Sequence, residues 1–172
     1  MKALVLSDSH NSTWLINSLA EKYRARIDCI IHLGDCTEDL DEIRQKYKSL
    51  PIYQVRGNND YDSLYPSERT ITLAGKRIYM THGHRHRVYY STDRLYYAAA
   101  EEQADIALFG HTHVPYLENE GGILVMNPGS ITLPRGGSER SFAFITIEGG
   151  RATLSVMGYN DGDVHIIRTL TL

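Results

Sequence analysis

The chain opens on apolar runs that alternate with amphipathic stretches. Lys2-Ala3-Leu4-Val5-Leu6-Ser7 is a short apolar run ending in polar residues, the pattern of a buried strand. Residues 12–25 place Trp14, Leu15, Leu19 and Tyr23 at helical spacing. Ile27–Leu33 is a second strand-like run, closed by Gly34-Asp35. Thr37–Lys48 predicts a helix with Leu40, Ile43 and Tyr47 on one face. Its acids (Glu38, Asp39, Asp41) come early and its bases (Lys46, Lys48) late, the polarity that a helix dipole favours. Pro51–Val55 is a third strand, closed by Arg56-Gly57-Asn58. This strand–helix–strand–helix–strand order marks a parallel sheet with crossovers.

The second half changes style. Arg69–Leu73 and Arg77–Met80 alternate around Ala74-Gly75-Lys76, a hairpin signal. Thr92–Gln103 predicts a helix, and Ile106–Phe109 a short buried strand closed by Gly110. Residues 114–118, 122–126 and 141–147 read as strands. Arg151–Met157 and Val164–Leu170 flank a hairpin turn at Asn160-Asp161-Gly162. No repeat or linker interrupts the chain, so residues 1–172 read as one α/β domain of two packed sheets with helices outside.

Composition narrows the function. At 42% hydrophobic and 23% charged, the chain has ordinary globular usage, which excludes disordered and fibrous classes. The longest apolar run, Leu95–Ala100, is far short of the roughly 18 residues of a membrane span. Ala3–Leu6 is too short for a signal peptide. A net charge of −3 weighs against nucleic acid as a partner. Two cysteines, Cys29 and Cys36, make no disulfide framework, and the economical expectation is a reduced, cytoplasmic protein. Of eight histidines, five fall in three short motifs.

Those motifs sit where strands end. The first strand delivers Asp8-Ser9-His10, the second Gly34-Asp35 and the third Gly57-Asn58-Asn59-Asp60. Later strands deliver His82-Gly83-His84 and Gly110-His111-Thr112-His113. Ligands of open α/β sheets bind beyond the carboxyl ends of the strands. In an extended segment, residues i and i+2 point the same way, which pairs Asp8 with His10 and His111 with His113. Neighbouring glycines permit sharp turns and close approach. Carboxylate, amide and imidazole donors together suit first-row divalent ions. Two such ions exceed the charge of Asp8 and Asp35, which favours an anionic substrate such as a phosphate ester.

The ordered set Asp-x-His, Gly-Asp, Gly-Asn-x-Asp, His-Gly-His and Gly-His-x-His resembles the calcineurin-like metallophosphoesterases, and the short length resembles their small YfcE-like phosphodiesterase branch. The resemblance covers residues 1 to about 157. It implies a four-layer α-β-β-α sandwich of two mixed sheets, with two divalent metals between strand ends. It also implies that Asp8, His10 and His113 hold one metal, that Asn58, His82 and His111 hold the other, and that Asp35 bridges both. A hydroxide bridging the metals would attack phosphorus in line. Manganese is the preferred metal, with iron, nickel and zinc as alternatives. Asn58 and His84 are the candidate catalytic residues, and Asn59 and His84 the candidate substrate contacts. Many members carry a histidine where this chain has Asn59, which cannot donate a titratable proton. His84 is the nearest substitute by sequence, and it is read equally as a phosphate contact or as a structural residue.

Other residues are read as structural. His32 is expected in the core, while His86 and His165 are expected at the surface. Arg85, His86 and Arg87 read as a solvated basic loop, and Asn127-Pro128-Gly129-Ser130 as a turn near the site. Tyr89, Tyr90, Tyr96 and Tyr97 suggest either packing or a homo-oligomer contact. The leading function is a metal-dependent phosphodiesterase acting on a small phosphate ester. The alternatives are a catalytically weak protein-interaction scaffold like the retromer subunit of the same fold, a nuclease and a phosphomonoesterase.

Overall fold

The computed structural model describes residues 1–61 and 64–172. Strands β1 (Lys2–Leu6), β2 (Cys29–His32) and β3 (Ile52–Gln54) alternate with helices α1 (Thr13–Tyr23) and α2 (Asp41–Lys46). The hairpin β4 (Glu68–Leu73) and β5 (Lys76–Thr81) follows, then helix α3 (Asp93–Glu101) and β6 (Ile106–Leu108). The chain ends with β7 (Tyr116–Glu120), β8 (Ile123–Asn127), β9 (Arg140–Glu148), β10 (Arg151–Asn160) and β11 (Asp163–Thr171).

These strands form two mixed sheets. The first has the order β11-β10-β9-β1-β2-β3, the second β4-β5-β6-β8-β7. In the first, β1, β2 and β3 are parallel, with Leu4 opposite Ile30 and Ile30 opposite Ile52. In the second, β5, β6 and β8 are parallel.

Side-chain alternation builds the layers. Ala3, Val5, Cys29 and Ile31 face Ile78, Met80, Ile106, Leu108 and Met126 of the other sheet. Leu4, Leu6 and Ile30 point the opposite way and pack on Leu15, Ile16 and Leu19 of α1 and Ile43 of α2. Tyr79, Ala107 and Val125 on the outer face of the second sheet pack on Leu95 and Ala99 of α3. The result is the expected helix–sheet–sheet–helix sandwich. Strands covered on both faces bury nearly every side chain, here all but Lys2, which is why residues 3–6 and 29–31 read as unbroken apolar runs.

Some local expectations shift. The helix expected over Thr37–Lys48 begins as a 3-10 turn, Thr37–Leu40, before α2. The Asp60 carboxylate ties down the Thr37 N–H at 2.9 Å, so the chain winds tightly as it leaves the left-handed Asp35 and Cys36. Trp14 is 62% exposed and does not join the core face of α1. The strand expected at 114–118 starts two residues later, because Thr112 and His113 are held in the loop below.

Candidate metal centre

The loops leaving β1, β2, β3, β5 and β6 meet on one rim. Asp8 is wholly buried there. Its Oδ2 accepts hydrogen bonds from Ser7 Oγ at 2.6 Å and from the His111 N–H at 3.0 Å. Its Oδ1 is buried with no hydrogen-bond partner among the described residues. That oxygen lies 3.2 Å from His113 Nε2 and 3.9 Å from His82 Nε2. Burial opposes ionisation of Asp8, but His113, His82 and Ser7 outweigh it and hold the carboxyl below its ordinary range.

Two histidines are aimed by backbone carbonyls. His82 Nδ1 lies 2.8 Å from the Leu33 carbonyl, and His113 Nδ1 lies 2.7 Å from the Leu133 carbonyl. A carbonyl only accepts, so each Nδ1 carries the hydrogen and each neutral ring points a lone pair at Nε2 into the site. His10 Nε2 lies 3.2 Å from His113 Nε2, and Asn58 Oδ1 lies 3.2 Å from His82 Nε2. Acceptors this close call for a proton or a cation between them. Burial opposes charge on His82, yet Asp35 and Asp8 raise its pKa.

Asp35 faces both histidine sets. Its Oδ1 lies 3.5 Å from His82 Nε2 and its Oδ2 4.0 Å from His10 Nε2. Burial pushes this carboxyl up, but His82 and the Asn59 backbone and side-chain N–H groups carry it well below the usual carboxylate range. The ligand atoms of Asp8, His10 and His113 lie within 4.8 Å of one another, as do those of Asp8, Asp35 and His82. The buried unpartnered oxygen and the converging acceptors fit divalent cations, with two anionic groups among neutral donors. His111 stands at the edge of this cluster, its ring 5.1 Å from that of His82. Burial, and then His82, push the His111 pKa down to about 4.

The backbone differs from the extended pairs expected. Asp8, His10, Asp35, His111 and His113 all have positive φ, between 45° and 69°. Each such residue costs of order 1–3 kcal/mol and persists only where the surroundings impose it. The left-handed turns send His113 towards His10 and His111 towards His82, so these two histidines diverge. Glycine permits the close approach: a Cβ on Gly57 would sit 2.1 Å from Asp35 Oδ1, and one on Gly110 2.0 Å from Ser7 Oγ.

The remaining expected site residues lie around this cluster. Asn58 and Asn59 are exposed at the turn after β3. The Asn59 side chain donates to Asp35 Oδ2 at 2.7 Å. His84 is half-buried, its ring 5.5 Å from His82 and 6.0 Å from His111, with Nδ1 buried and unpartnered among the described residues. Burial, His82 and Arg85 lower its pKa.

Sequence reasoning overlooked Asp60 as a structural knot. Its carboxylate accepts N–H groups from Asp35, Thr37 and Gly57 at 2.7–2.9 Å, tying two ligand loops together. Its place in an Asn-Asn-Asp turn was the available signal. His32 is fully buried, as expected. His86 is a correction: it is 8% exposed, because a 3-10 turn (His84–His86) rotates it inward to within 3.2 Å of Tyr79 Oη. Asn127 and Ser130 are buried and committed to Gly110 O and Asp8 O, so the turn after β8 shores up the ligand loops.

The chain is similar to known proteins over most of its length. Residues 1–150 match the family described as the calcineurin-like phosphoesterase superfamily domain. The probable metallophosphoesterase YsnB of Bacillus subtilis is 36% identical over 155 residues, covering 90% of this chain and 89% of its own. Phosphodiesterase YfcE of Escherichia coli is 30% identical over 191 residues, covering 95% of each. A crystal structure of a predicted phosphoesterase from Streptococcus pneumoniae superposes with a TM-score of 0.82 at 30% identity, over 99% of this chain and 96% of the other.

Proposed function

Since the chain belongs to the calcineurin-like phosphoesterase superfamily, we propose that it is a two-metal phosphodiesterase acting on a small phosphate ester. Asp8, His10 and His113 would hold one divalent ion, and Asn58, His82 and His111 the other, with Asp35 shared. When bound, the two ions supply charge neutralisation for the phosphoryl group and an activated water. The observation that carries this reading is the buried, unpartnered Oδ1 of Asp8 facing two imidazole Nε2 atoms.

The chain's own groups complete the site. The Leu33 and Leu133 carbonyls fix the tautomers of His82 and His113. Asn59 holds the Asp35 carboxylate in place, and its second amide hydrogen, which bonds no other group among the described residues, is available to a phosphoryl oxygen. His84 stays neutral near neutral pH and offers a hydrogen bond to phosphate or to the leaving oxygen. Manganese is the metal we favour. A cytoplasmic setting is proposed with it, on two free and buried cysteines. Among the described residues, no helix is long and apolar enough to cross a membrane.

The test is hydrolysis of bis-p-nitrophenyl phosphate by metal-stripped protein, before and after adding manganese, with p-nitrophenyl phosphate alongside. Restored cleavage that favours the diester supports the proposal. Cleavage of the monoester alone moves the assignment to a phosphomonoesterase. No cleavage with metal bound moves it to a scaffold.

A further inference from the structure

An apolar groove of about 400 Å³ opens beside the metal centre, between residues 88–92 and 112–116. Its size falls in the range of about 300–1,000 Å³ typical of ligand sites. Val88, Tyr89, Tyr90, Phe109, Val114 and Tyr116 line it. It is continuous with the site. The Tyr89 ring lies 4.7 Å from the His111 ring, edge to face, and its hydroxyl donates to the His111 carbonyl at 2.9 Å. Thr112, between two of the candidate ligands, also lines the groove.

Three of the residues lining it are exposed to solvent. Tyr90 is 89% exposed, Tyr89 51% and Val114 37%. The Tyr90 side chain has no hydrogen-bond partner among the described residues. Tyr89 is pinned at its tip by Arg135 and the His111 carbonyl, so its ring is held while one face stays open. A rigid aromatic wall with an open face suits a planar ring, which gains dispersion and offset stacking there.

We propose that this groove seats an aromatic arm of the substrate, an aryl or nucleobase group, while the phosphoryl group lies at the metal centre. The inference rests on the phosphodiesterase reading for the second half of that statement. The groove itself makes an independent demand: it binds an aromatic ring whether or not metal is present.

The experiment compares phenylphosphonate with methylphosphonate by titration calorimetry on manganese-loaded protein, and follows phenol binding to metal-stripped protein by amide NMR. The two phosphonates share the anionic head and differ in the ring. We expect phenylphosphonate to bind about tenfold tighter. Tyr90→Ser and Val114→Ser, both at the surface, each shrink that ratio and leave methylphosphonate affinity unchanged. Phenol shifts amides of residues 88–92 and 112–116. Equal phosphonate affinities, a ratio unmoved by both variants, or no phenol shifts in the groove would overturn the inference. If bis-p-nitrophenyl phosphate is cleaved and the groove fails these tests, the function stands and the aromatic arm falls. If nothing is cleaved yet phenol seats in the groove, the groove is upheld as a ring-binding site and the hydrolytic reading falls.

Discussion

Asp35 turns one carboxylate oxygen towards His82 and the other towards His10, at 3.5 and 4.0 Å. Its two oxygens therefore face two different histidine sets. Replacing one oxygen by an amide nitrogen removes both a charge and an acceptor. Asp35→Asn is expected to lower manganese stoichiometry below two per chain and to cut diester turnover by at least about 100-fold. Metal analysis after dialysis, with steady-state rates, checks this. Full occupancy with full activity would rule out a shared role.

Asp60 touches no expected ligand side chain of the site, yet it accepts three backbone N–H groups from the loops that carry Asp35 and Asn58. Truncation leaves those donors unpaired at about 1–3 kcal/mol each. Asp60→Ala is expected to lose about 3 kcal/mol or more in urea unfolding of metal-stripped protein. Metal affinity is expected to fall about 10–100-fold. A loss of affinity with no loss of stability would mean that Asp60 acts by some other route.

Asn59 stands directly after Asn58, where the resemblance to the calcineurin-like metallophosphoesterases leads one to expect histidine. An imidazole there restores a titratable donor, and general-acid help is worth about 10²–10⁴-fold. Asn59→His is expected to raise turnover most for alkyl leaving groups and little for p-nitrophenolate, which leaves without a proton. Rates on an alkyl and an aryl diester, measured side by side, decide the matter. An equal response of both esters with metals intact would place residue 59 away from the leaving group.

His32 is fully buried, and burial lowers its pKa from 6.5 to about 4. Its Nδ1 accepts from the Gly34 N–H at 3.3 Å, which leaves Nε2–H to donate to Ser9 Oγ at 3.1 Å. The folded chain thus binds fewer protons here than the unfolded chain between pH 6.5 and about 4. The stability associated with neutral His32 is complete above about pH 6.5 and is lost as pH falls to about 4, roughly 3 kcal/mol in all. Urea midpoints of metal-stripped protein at stepped pH check this, and His32→Gln is expected to flatten the slope across that window.

Much of the fold was legible because β1 and β2 are covered on both faces, so their apolar runs carry no competing period. The expected ligands were legible because glycine and polar residues punctuate the strand ends, and those residues do converge on one rim. The backbone geometry was not. Left-handed φ at Asp8, His10, His111 and His113 is imposed by contacts between distant loops, such as the bond from the His111 N–H to Asp8. Local spacing carries no trace of such contacts. His86 was misread because Arg85 and Arg87 on either side look like a solvated loop, while the short 3-10 turn that hides it leaves no pattern. Trp14 shares its helix with a buried stripe yet faces outward, a choice that depends on where α2 packs.

The candidate centre straddles the seam between the sheets. Asp8, His10 and Asp35 follow strands of one sheet, while His82, His111 and His113 follow strands of the other. An ion shared by His10 and His113 would close a loop of about 100 residues, and parting the sheets would require its release. Such an ion acts as a clasp on the finished molecule and contributes nothing until both sheets have met. Its signature is kinetic: bound metal slows unfolding and leaves the refolding rate nearly unchanged.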